Sequence, residues 1–85
     1  MKIIYKFKLR AVGQQEIEMS KNAEILCLET QFGEPCIWTL VETDDEQEIK
    51  SFFIVGTGEP MPENPSKYIG TYQKGEFVFH VFELL

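Results

Sequence analysis

The chain has one histidine, His80, and only two cysteines, Cys27 and Cys36, in 85 residues. That scarcity excludes most catalytic and metal chemistry. Ser20, Ser51 and Cys36 have no second histidine to activate them. His80 stands within Val78-Phe79-His80-Val81-Phe82, an apolar strand with no nucleophile in sequence reach. One histidine and two loosely spaced cysteines do not compose a zinc site, and Asp44-Asp45-Glu46 lacks the alternating ligands and glycine of a calcium loop. The expectation is a protein that is not an enzyme and takes no metal or cofactor. No apolar run approaches the roughly 20 residues of a membrane span. Met1 to Lys6 lacks the apolar core and small-residue cleavage site of a secretory signal. A cytoplasmic protein with reduced cysteines and no membrane partner is expected.

Positive charge is scarce as well, and unevenly placed. Eight Lys and Arg stand against 14 Asp and Glu, for a net charge of −6, which disfavours broad binding to a nucleic-acid backbone. Lys2, Lys6, Lys8 and Arg10 put half of the cations in the first ten residues, with no acid among them. The acidic run Asp44-Asp45-Glu46-Gln47-Glu48 reads as a solvated loop.

Helical periodicity is absent, and alternation takes its place. Residues 2–10 alternate, with Ile3, Tyr5, Phe7 and Leu9 on one side and the four cations on the other. Residues 12–15 read as a connector. Strands are predicted over 16–19, 24–32, 36–43, 49–55, 67–73 and 76–84, with turns at 20–23, Gly33-Glu34-Pro35 and Lys74-Gly75. Gly56 to Pro65 holds three prolines and two glycines and is predicted to be irregular. One all-β domain over residues 1–85 follows, with about seven short strands in a small antiparallel sandwich or barrel. A hairpin closing near Gly33 and Glu34 sets Gln31 opposite Cys36 and Leu40 opposite Cys27. The sulfurs are then roughly 13 Å apart, too far to bond.

Two features suggest binding. The cationic stripe of the first strand, with Lys6, Lys8 and Arg10 at its centre, has the size to hold a small diphosphate rather than a duplex, so direct DNA binding is not expected. Its alternative reading is a solvated edge that lysines protect from aggregation. The segment Gly56-Thr57-Gly58 follows a strand but no helix, and lacks the Gly-Lys-Ser/Thr of a phosphate loop. Its paired glycines can still present backbone amides to an anion, or serve only a stiff structural loop. Tyr5, Tyr68 or Tyr72 could offer a stacking surface, and Tyr72 is taken as the candidate to stack on a base. Seven Phe, three Tyr and one Trp, with unpaired sheet edges, point to a homo-oligomer.

Several runs carry a family likeness in order along nearly the whole chain. They are Glu16-Ile17-Glu18-Met19, Ala23-Glu24-Ile25-Leu26, Gly33-Glu34-Pro35-Cys36-Ile37-Trp38, Gly56-Thr57-Gly58 with Pro60 and Pro62, Tyr68-Ile69-Gly70-Thr71-Tyr72-Gln73, and Phe77-Val78-Phe79-His80-Val81-Phe82-Glu83. The sequence resembles a family of small phage and prophage proteins of unknown function, whose members tend to carry a histidine where this chain has Glu59. The resemblance implies a phage setting inside a host cell, where small proteins of this kind are often counter-defence factors. The leading expectation is an oligomer that sequesters a small anionic, nucleotide-like signal molecule, with Lys6, Lys8, Arg10, Gly56, Thr57, Gly58 and Tyr72 around it. The alternative is an acidic antagonist of a host defence or nucleic-acid enzyme.

Overall fold

A computed structural model describes residues 1–11, 13–64 and 66–85. Seven strands follow one another: β1 (Lys2–Lys8), β2 (Gly13–Ser20), β3 (Glu24–Gln31), β4 (Glu34–Glu42), β5 (Gln47–Gly56), β6 (Ser66–Lys74) and β7 (Phe77–Leu84). They form two antiparallel sheets, one in the order β1-β4-β3 and the other β2-β5-β7-β6. The sheets remain separate layers, so the architecture is a sandwich and not a closed barrel. The second strand begins earlier than predicted: residues 13–15, expected in a connector, already belong to β2, and Val12 lies outside the described residues.

Period-two alternation explains the layering. Ile37, Thr39 and Val41 of β4 point inward, as do Phe52 and Ile54 of β5 and Val81 of β7, and all six are buried. Leu9, Met19 and Tyr72 complete the core, with Phe7, Leu28 and Phe79 packed against it. Each fully buried side chain of the Phe or Ile type contributes about 1.5–3 kcal/mol. β3 lies over β6. There the bulge between Tyr68 and Gly70 lets Leu28 approach so closely that a Cβ at position 70 would sit 3.2 Å from the Leu28 Cβ.

The buried polar residues Gln15, Ser20 and Thr39 are all partnered, the first two where the sheets meet. Gln15 accepts a bond from the Arg10 amide at 2.7 Å and donates to the Arg10 carbonyl at 3.1 Å, so a side chain takes the place of a strand where the chain changes sheets. Thr39, fully buried, donates to the Tyr5 carbonyl at 3.0 Å. Ser20 donates to the Glu42 carbonyl at 3.1 Å and joins the two sheets at the other end.

The β3–β4 hairpin closes on Phe32-Gly33, with φ of 52° and 78°, and Gln31 pairs with Glu34. Positive φ at both loop positions is the hairpin turn that matches strand twist. The predicted register is therefore corrected by two residues: Cys36 faces Glu29, and Cys27 faces Trp38. The cysteines become diagonal neighbours on adjacent strands, roughly 7–8 Å apart. Both are free, Cys27 exposed and Cys36 buried.

β5 and β6 flank β7 and run parallel to each other. The chain leaving Gly56, opposite Phe79, must therefore travel the length of β7 before β6 begins at Ser66, opposite Leu84. Residues 57–64 make that return as an irregular strap, as the prolines predict, while Pro65 lies outside the described residues. Thr57 meets His80 on the outer face of the sheet, and Asn64 shares a hollow with Ser51 and Leu84.

Candidate functional site

β1 is an edge strand, and its outer face carries Lys2, Lys6 and Lys8 opposite Glu42, Trp38 and Cys36 of β4. All three lysines are exposed. Lys6 Nζ stands 5.9 Å from the centre of the Trp38 ring and donates to the Gln31 side-chain oxygen. Glu42, the one acid directly opposite a lysine of β1, holds the N-terminal amine instead. Among the described residues, no ion pair within 4.0 Å engages Lys2, Lys6, Lys8 or Arg10. The face therefore offers three ammonium groups, one of them, that of Lys6, near a half-buried indole.

The remaining expected site residues lie elsewhere. Arg10 falls beyond the end of β1, and its guanidinium donates to the Gln14 carbonyl at 3.0 Å, away from the strand's lysine row. Gly56, Thr57 and Gly58 belong to the opposite sheet and its strap. Their expected role as an anion cradle is narrowed by two bonds within the fold. The Thr57 amide donates to the Val78 carbonyl at 3.1 Å, and the Glu59 amide to the Gly56 carbonyl at 3.0 Å. Tyr72 is also corrected. It is 6% exposed, its ring stacks on Phe79 at 5.3 Å, and its hydroxyl donates to the Ala11 carbonyl at 3.1 Å. A ring held between two sheets has no face for a base. Lys6 and Lys8 thus share a face, with Trp38 as the aromatic group that strand pairing supplies.

His80 contacts threonine at both ring nitrogens: Thr57 Oγ1 lies 2.8 Å from Nε2 and Thr71 Oγ1 lies 3.0 Å from Nδ1. Tyr68 continues the chain through Thr71. Two hydroxyls thus engage the histidine, which pins the start of the strap to β6 and β7.

At one end of the molecule, beside the strap, a cleft of about 850 Å³ opens between Phe53, Val55, Phe77 and Phe79, with Glu59 and Glu76 as its charged side chains. Sequence reading did not find it, because its walls come from β5, the strap and the β6–β7 turn. No cluster of potential metal ligands occurs among the described residues.

Fold and site define a small antiparallel β-sandwich with a lysine-bearing outer face on one sheet and an apolar, acid-rimmed cleft at the end of the other. The chain belongs to a family described as a domain of unknown function (DUF7352), which matches over residues 1–85. No curated protein and no solved structure matches it.

Proposed function

We propose that the protein is a non-catalytic binding domain that holds a small phosphate-bearing, nucleotide-like molecule on the outer face of β1. One observation carries this reading: Lys2, Lys6 and Lys8 lie on one exposed face, without a carboxylate partner among the described residues, and Lys6 stands by the Trp38 indole. Lys6 and Lys8 supply charge to phosphate oxygens, and Trp38 supplies a surface on which a base stacks. The likeness to small phage proteins supports a counter-defence setting, in which the ligand is an immune signal withdrawn from a host pathway in the cytoplasm. The exposed aromatic residues support an oligomeric carrier.

Isothermal titration with cyclic nucleotides and ADP-ribose derivatives tests the reading. Saturable heat from a member of the panel is expected, and charge reversal at Lys6 and Lys8 should remove it with an unchanged melting temperature. Absence of heat from every compound with folded protein contradicts the proposal.

A further inference from the structure

Phe32 is 96% exposed, at the tip of the β3–β4 hairpin, with φ of 52°. Asparagine, aspartate and glycine adopt that backbone with least strain, whereas a bulky aromatic residue there is an outlier. At such exposure the ring adds almost nothing to the molecule's own core. A strained, protruding aromatic side chain calls for a use outside the fold.

The cleft between Phe53, Val55, Phe77 and Phe79 offers a matching hollow. Its volume of about 850 Å³ amply exceeds the roughly 150 Å³ of an apolar cavity that admits benzene. Knob and hollow lie at the same end of the sandwich. Lys74, beside the β6–β7 turn, pairs with Glu34, beside Phe32-Gly33, at 3.5 Å and links the two hairpins. Their charges are complementary. Lys6 donates to Gln31, the residue before Phe32, and Lys8 follows opposite Cys36, while Glu59 and Glu76 stand on the cleft.

We propose that a second copy of this chain occupies the cleft, each copy inserting its Phe32 into the other across a two-fold axis. Placement of knob and hollow at one end lets the exchange be reciprocal, so the assembly closes at two copies. The cations beside each Phe32 then approach Glu59 and Glu76 of the second copy, an attraction that salt weakens. This goes beyond the ligand reading, and neither requires the other.

Sedimentation velocity between 1 and 100 µM, the concentrations at which a single small interface is populated (roughly micromolar Kd), tests the proposal on wild type and Phe32→Asn. Asparagine suits the turn, so the variant should melt no lower than wild type. A wild-type dimer is expected, with its dissociation constant raised about thirtyfold or more by Phe32→Asn, as for an anchoring aromatic residue. Glu76→Lys should weaken the dimer as well. A photoreactive benzoylphenylalanine at position 32 should cross-link to residues 57–60 or 76–79 of the second copy. A strictly monomeric wild type, a dimer indifferent to Phe32→Asn, or a cross-link to another surface overturns the proposal.

Discussion

Tyr72 donates its hydroxyl to the Ala11 carbonyl from within the core. Burial pushes that hydroxyl above its ordinary pKa of 10.0, and the Glu34 carboxylate adds to the rise. Below pH 10 the folded and unfolded chains both keep the proton, and the stabilisation is complete. As pH climbs past 10, the unfolded chain releases its proton first, so stability falls until the folded value is passed. Tyr72→Phe should cost about 0.5–1.5 kcal/mol at neutral pH through the lost bond. It should also remove this component of alkaline destabilisation, which urea melts at pH 8 and pH 10.5 would read. An equal alkaline loss in the variant contradicts the assignment. Alternation in the sequence did not distinguish Tyr72 from Tyr68. The β6 bulge between Tyr68 and Gly70 reverses the facing of the strand midway, which leaves Tyr68 outside and turns Tyr72 inward. Lys6 and Lys8, in an unbulged strand, were legible. Trp38 was visible as a residue, but its place beside Lys6 depends on a strand pairing that alternation alone does not specify.

At the scale of elements, strands were easier to recognise than their partners. The seven apolar runs and the turns between them are written locally, through β-branched and aromatic residues, glycine and proline. The β3–β4 register was not, because Pro35 drew the expected turn one residue late, whereas the chain turns on Phe32-Gly33 and admits Pro35 into β4. The long return of the strap along β7 was also hidden, since it follows from strand order. Two predictions belong here. Gly70→Ala should destabilise by about 1–3 kcal/mol, because the added methyl meets the Leu28 Cβ and β3 must move away from β6. A chemical denaturation midpoint unchanged from wild type would contradict this packing. His80→Ala removes the side chain bonded to Thr57 and Thr71, and hydrogen exchange should quicken in residues 57–64 while β1 and β4 keep their protection. Uniform quickening would mean that His80 supports the whole fold instead of the strap.

Over the whole molecule, the asymmetry of charge visible in the sequence becomes an asymmetry of surfaces. The β1 lysines decorate one sheet's outer face, while Glu59 and Glu76 border the cleft in the other sheet. Within one chain Lys6 and Lys8 do not meet the Gly56–Gly58 segment, since the two groups belong to different sheets. A ligand on the lysine face should therefore bind with an affinity that declines as salt rises and is indifferent to Gly58→Ala, provided that variant folds. Equilibrium titration at two salt concentrations checks both points.

Trp38, the chain's one tryptophan, reports directly on that face. Its fluorescence, excited at a wavelength nucleotides do not absorb, can be followed while cyclic nucleotides and ADP-ribose derivatives are added. A saturable change with at least one compound, lost when Lys6 and Lys8 are both replaced by glutamate, is the predicted result. A signal that stays flat with every compound, or a change that survives the double charge reversal, would contradict the account.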